Sequence, residues 1–93
     1  MASPRWFVYI VCCRDGSLYT GTARDIAARL ALHDVGKGAK YTASRGPVKL
    51  VWQEGPMNVS RALRRELQIK QLTRTQKIAF ISGTLVLKLP RRR

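Results

Sequence analysis

Residues 5–12, RWFVYIVC, form an almost unbroken aromatic and β-branched run, the composition of a strand. RDGS follows as a tight turn, and SLYTGTA (17–23) reads as the returning strand of a hairpin. Asp25 is a good N-cap for a helix over 26–34, IAARLALHD, in which nearly every position is apolar. The segment 35–47, VGKGAKYTASRGP, is rich in glycine and cations and predicts a basic loop. VKLVWQE (48–54) predicts a third strand, closed by Gly55-Pro56. Ser60 reads as the N-cap of a second helix, RALRRELQIKQL (61–72), and TRTQKIAFIS (73–82) as a third, ended by Gly83. TLVLKLPRRR (84–93) alternates apolar residues and finishes basic, as a short strand or a docked tail. The order ββαβαα predicts one α+β domain over residues 1–93 with a small antiparallel sheet, without repeats or linkers.

Charge narrows the choice of partner. Eighteen Lys and Arg face five acids, a net charge of +13, while 45% of residues are hydrophobic. Such a chain folds, and its excess positive charge favours a polyanionic partner, nucleic acid ahead of an anionic membrane surface. No apolar stretch approaches the ~20 residues of a membrane span, and the N-terminus lacks the small-residue cleavage site of a signal peptide. Cys12 and Cys13 are adjacent, so in a strand they point to opposite faces and are poor disulfide partners. With His33 as the single histidine, a four-ligand zinc site is excluded. Two buried free thiols and a cytoplasmic, reducing setting are the expectation.

Two helices carry polar residues where apolar ones are expected. At about 100° per residue, with Ala62 at zero, Ile69 falls at about 340°, Leu63 at about 100° and Leu67 at about 140°, which predicts the buried stripe. Glu66, at about 40°, lies inside it. An inward carboxylate needs a cation, a metal or good hydrogen bonds. An internal salt bridge to an arginine is one reading; a metal ligand or acid/base residue is the other. In the first helix Arg29 and His33 lie one turn apart on one face beside the apolar stripe, where a phosphate could be received. Alternatively Arg29 faces solvent and His33 is a helix-end residue favoured by the macrodipole. Tyr9 and Tyr19 sit on the hairpin strands, and Gly21 weakens a strand unless something approaches its backbone.

Together these residues resemble the GIY-YIG nuclease family, over about residues 5–80. Phe7-Val8-Tyr9 stands at the first signature tripeptide and Tyr19-Thr20-Gly21 at the second, ten residues on. The family's helix arginine corresponds to Arg29, a histidine four residues later to His33, and the single metal-binding glutamate to Glu66. GKGAKYT (36–42) and SRALRRELQIKQL (60–72) are similar to the small single-domain bacterial branch. The first glycine of the signature is replaced by Phe7, which adds bulk on the strand face of Tyr9, and the second isoleucine by Thr20.

The resemblance implies a three-stranded antiparallel sheet flanked by helices. It further implies hydrolysis of a phosphodiester, in DNA ahead of RNA, with one divalent ion, Mg²⁺ or Mn²⁺, held by Glu66. Arg29 would stabilise the transition-state charge. The general base is Tyr9, Tyr19 or His33. Gly21, Lys37, Lys40, Arg64 and Arg65 would meet the nucleic acid. A non-catalytic nucleic-acid-binding module on the same fold is the alternative, and a small ribonucleoprotein component a third reading. The sequence carries no signal for oligomeric state.

Hairpin register tests the shared site. Asp15-Gly16 as a two-residue type I′ turn sets Tyr19 opposite Cys12 and puts the tyrosines on opposite faces. A three-residue loop, Arg14-Asp15-Gly16, sets Tyr19 opposite Val11 and Tyr9 opposite Gly21, on one face. The shared site requires the second, and that register is expected.

Overall fold

The aromatic run and its return form strands β1 (Trp6–Cys13) and β2 (Leu18–Ala23), paired antiparallel. Strand β3 (Val48–Met57) pairs antiparallel with the other edge of β1, giving the sheet order β2-β1-β3. Helices α1 (Ile26–Asp34), α2 (Val59–Lys70) and α3 (Arg74–Ser82) complete the ββαβαα order, so the α+β fold is as expected. The computed structural model describes residues 4–39, 42–43 and 45–88; Lys40 and the end of the tail, 89–93, lie outside them.

The loop of the hairpin has three residues. Cys13 N–H donates to the Ser17 carbonyl at 2.8 Å, and Gly16 N–H to the Cys13 carbonyl at 2.9 Å. Gly16 takes φ of +87°, the left-handed conformation that closes such a loop. The Asp15 carboxylate accepts from Ser17 N–H (3.0 Å), Ser17 Oγ (2.6 Å) and Arg45 (2.7 Å). Those partners favour the longer loop over the two-residue turn that Asp-Gly alone signals. Tyr9 consequently pairs with Gly21 and Val11 with Tyr19.

Alternation along β1 divides the core. Val8 and Ile10 pack with Met57, Ala62, Ile69 and Phe80 beneath α2 and α3. Tyr9 and Val11 face the other way, with Ala23 and, from α1, Ile26 and Leu30. Asp25 caps α1 as expected, accepting from Ala28 N–H at 3.1 Å.

Several boundaries differ from expectation. Asn58, not Ser60, caps α2, accepting from Arg61 N–H at 2.8 Å; both residue types cap well, and the earlier one wins. Thr73 caps α3 in a reciprocal capping box with Gln76, and Gly83 ends it. Strand β3 continues through Gly55-Pro56 to Met57, with a register shift between the pairs of Trp6 and Val8. An edge strand with a bulge accommodates a proline that a central strand would not. Residues 84–88 form no strand; Leu85 and Leu87 dock on the core, and the Leu87 carbonyl accepts from Arg65 at 2.9 Å. Both cysteines are free, Cys13 buried but Cys12 only half-buried.

The face of α2 is the main correction. Ala62, Arg65 and Ile69 are its buried residues, while Leu63 and Leu67 are 52% and 60% exposed. The buried stripe is therefore rotated toward Arg65, whose guanidinium bonds Glu54 at 2.8 Å and Gln68 at 2.8 Å and lies 5.2 Å from the centre of the Phe80 ring. With its charge paired and three of its donors hydrogen-bonded, an arginine replaces the leucines in the core.

Candidate active site

Strand pairing delivers the first two groups. Opposite Tyr9 stands Gly21, and a Cβ there would fall 2.7 Å from Tyr9 Oη and 3.0 Å from a ring carbon of Tyr19. The missing side chain makes room for the two tyrosine rings, whose centres are 6.5 Å apart. What approaches the Gly21 backbone is therefore the tyrosine pair; Gly21 is buried and presents nothing to nucleic acid. The Phe7 ring lies against Gly55 of β3.

Helix α1 supplies the third ring. His33 is fully buried, and its ring centre lies 5.9 Å from that of Tyr9 and 5.5 Å from that of Tyr19. Nε2 is 2.9 Å from Tyr9 Oη, and Nδ1 is 2.6 Å from Thr42 Oγ1. Thr42 donates its hydroxyl hydrogen to the Ala39 carbonyl at 3.2 Å, so it accepts from His33 Nδ1–H. Nε2 then carries a lone pair, and Tyr9 O–H donates to it. Burial and the nearby Arg29 charge lower the His33 pKa, which keeps the ring neutral. For Tyr9, burial first and Tyr19 second push the phenol up to about 12, partly offset by the Arg29 guanidinium beside its hydroxyl. Arg29 thus serves the tyrosine–histidine pair from one turn earlier on α1.

Helix α2 brings the carboxylate. Glu66 is close enough for its charge to act on Tyr9, and its side chain is 17% exposed. The salt bridge it makes is with Lys70, at 2.9 Å, rather than with an arginine. Lys70 Nζ also lies 5.8 Å from the centre of the Tyr19 ring, so this edge of α2 reaches the tyrosine side of the sheet.

Tyr9, Tyr19, Arg29, His33 and Glu66 are therefore brought together. Lys37 is exposed on the loop beyond His33, its N–H closing α1 on the Leu32 carbonyl at 2.8 Å. Arg64 precedes Glu66 by two positions and so points to the far side of α2, where it bonds Ser60 Oγ at 2.6 Å. Arg65 is 4% exposed and belongs to the core, not to a nucleic-acid surface. Thr42 and Lys70 are additions. Lys70 carries a readable signal, four residues after Glu66 on one helix face; Thr42, in a loop without periodicity, carries none.

The family model of the GIY-YIG catalytic domain matches residues 5–79. The chain belongs to the GIY-YIG family. A UPF0213 protein of Staphylococcus epidermidis is 59% identical over 75 residues, covering 81% of this chain and 92% of the relative. One from Staphylococcus haemolyticus is 53% identical over the same length. Among solved structures, the solution NMR structure of a UPF0213 protein from Bacillus halodurans is 43% identical, with a TM-score of 0.54, over 84% of this chain and 83% of that one. GIY-YIG membership places the domain in a family of nucleases that act on nucleic acid and generally use divalent metals. No helix among the described residues is long and apolar enough to cross a membrane.

The donor set sets limits on a metal. Among the described residues no three His, Cys, Asp or Glu converge. One carboxylate, Glu66, suits an ion that keeps most of its waters and takes further oxygens from a phosphate, as Mg²⁺ does.

Proposed function

We propose that this protein is a cytoplasmic nuclease that hydrolyses phosphodiester bonds, in DNA ahead of RNA, with one Mg²⁺ or Mn²⁺ held by Glu66. The observation that carries the reading is the directed chain Tyr9 O–H to His33 Nε2, His33 Nδ1–H to Thr42. A buried tyrosine aimed at an unprotonated imidazole nitrogen is a proton acceptor of two parts. As water attacks phosphorus, the Tyr9 oxygen takes the water's proton while its own passes to His33. The new phosphorus–oxygen bond forms as the ester bond opposite it breaks. A phenol with a pKa of about 12 is a poor phenolate at neutral pH, so the coupled transfer suits it better than prior ionisation.

Arg29 stabilises the charge that builds on the non-bridging oxygens. When bound, the divalent ion supplies neutralisation of phosphate charge and of the leaving oxygen. Lys70, paired with Glu66 at 2.9 Å, would be free to contact phosphate if Glu66 held the ion. That same Lys70–Glu66 pair favours the alternative of a binding module without catalysis, since it occupies the carboxylate. One experiment separates the two. Labelled single-stranded, duplex and branched DNA and structured RNA are incubated with the protein in Mg²⁺, Mn²⁺ or EDTA. The nuclease reading requires metal-dependent products that Glu66→Ala and Arg29→Ala abolish while folding is retained; binding without products supports the module.

A further inference from the structure

All five carboxylates of the chain are engaged: Asp15 by Ser17 and Arg45, Asp25 by the start of α1, Asp34 by Val48 N–H, Glu54 by Arg65 and Glu66 by Lys70. Three of the five, Asp15, Glu54 and Glu66, pair with cations, so most Lys and Arg make no ion pair among the described residues. One gathering of cations lies beyond the site described above. A pocket of about 230 Å³ opens between the hairpin and α3, lined by Ser17, Leu18, Arg74 and Lys77. Arg74 and Lys77 are three apart on α3 and share a face. Neither forms an ion pair among the described residues. Arg74 Nη1 donates to the Gly16 carbonyl at 2.7 Å, across 58 positions of sequence, which fixes the guanidinium against the hairpin. An anchored guanidinium with donors to spare, one turn from an ammonium, is a phosphate-recognition pair. Asp15, the nearest acid in sequence, is held by Arg45 and leaves that charge intact.

The pocket's place relative to the site decides whose phosphate it takes. Ser17 and Leu18 lead into Tyr19 along β2, the edge strand, and a strand rise of about 3.3 Å per residue sets Ser17 about 7 Å from Tyr19. Lys70 stands over the Tyr19 ring. Lys70, Tyr19 and the Arg74–Lys77 pocket thus follow the outer edge of the sheet. We propose that this pocket binds a backbone phosphate of the substrate strand next to the reacting one, so that the strand runs along the β2 edge from Glu66 toward α3. The proposal rests on the nuclease reading and adds the direction of the strand to it.

The test is fluorescence anisotropy of labelled DNA oligonucleotides, single-stranded and duplex, titrated with the full chain in EDTA over a range of NaCl. Arg74→Gln and Lys77→Gln should each flatten the slope of log Kd against log salt by about one, and the double variant by about two. Lys49→Gln on β3, the opposite edge of the sheet, makes the same charge change and should alter the slope clearly less. Pocket variants that behave like Lys49→Gln overturn the strand path, whereas the nuclease reading stands or falls separately on metal-dependent cleavage by the wild type. Wild-type protein that binds neither oligonucleotide also overturns the strand path.

Discussion

Tyr9 and His33 form one buried hydrogen-bonded unit, Oη to Nε2 at 2.9 Å, although 24 positions separate them. If the two act together on one proton, their losses do not add. Tyr9→Phe and His33→Gln are each expected to lower kcat by about 10²–10⁴-fold. The double variant should lose little more than the worse single one. A double-mutant cycle in single-turnover cleavage reads this, and additive losses would assign the two residues separate roles.

Burial of the same pair makes stability depend on pH at both ends. The Tyr9 phenol is raised from 10 to about 12, so the folded state holds a proton that the unfolded chain gives up. Its contribution is complete below pH 10 and is lost as pH rises through about 12, a change on the order of 2–3 kcal/mol. His33 has a lowered pKa, so the unfolded chain binds the proton more readily and stability falls as pH drops below about 6.5. Urea unfolding across pH should show both limbs, with Tyr9→Phe removing most of the alkaline one. An alkaline limb of full size in Tyr9→Phe would place its origin elsewhere.

Gly21 is required by shape rather than by flexibility. A Cβ at 2.7 Å from Tyr9 Oη must displace the ring from its bond with His33. Gly21→Ala is expected to cost about 1–3 kcal/mol, the range for overpacking, and to lower kcat further than the loss of stability explains. Thermal melts and cleavage rates together check this; an active, undisturbed Gly21→Ala would mean the rings relax freely.

The hairpin and the first helix were legible from local signatures, an aromatic and β-branched run with its return and an Asp cap, and Arg29 and His33 as polar residues one turn apart. That Tyr9, Tyr19, Arg29, His33 and Glu66 belong to one site was legible through the resemblance to the GIY-YIG family. The loop length was legible only through the demand that both tyrosines share a face, since Asp-Gly by itself signals the shorter turn that Ser17 and Arg45 override. Helix periodicity failed at α2 because hydropathy ranks Leu63 and Leu67 above Arg65. The partners that bury Arg65, Glu54 and the Leu87 carbonyl, are 11 and 22 positions away. Thr42 was invisible for the same reason: its role comes from folding of a loop back onto His33.

Thr20 offers a stabilising change. Its hydroxyl is buried without a hydrogen-bond partner, and the residue is 2% exposed. An orphaned buried hydroxyl costs about 1–3 kcal/mol. Thr20→Val keeps the shape and strand propensity and should raise stability by about 1 kcal/mol in urea unfolding. A destabilised Thr20→Val would reveal a partner for the hydroxyl.

Arg65 separates a structural cation from a binding one. Its side chain is 5% exposed and bonded to Glu54, which is 31% exposed, to Gln68 and to the docked tail at Leu87. Arg65→Met keeps the aliphatic bulk against Phe80 but strands Glu54 and frees the tail. The loss expected is about 3 kcal/mol, at the low end for breaking a buried pair because Glu54 retains some water. Adding Glu54→Gln should restore part of it, since no carboxylate is then left uncompensated. Meanwhile the slope of log Kd against log salt for an oligonucleotide should match the wild type, because a guanidinium inside the core releases no counterion from the nucleic acid. A folded Arg65→Met whose slope flattens by about one would return Arg65 to the phosphate-contacting surface.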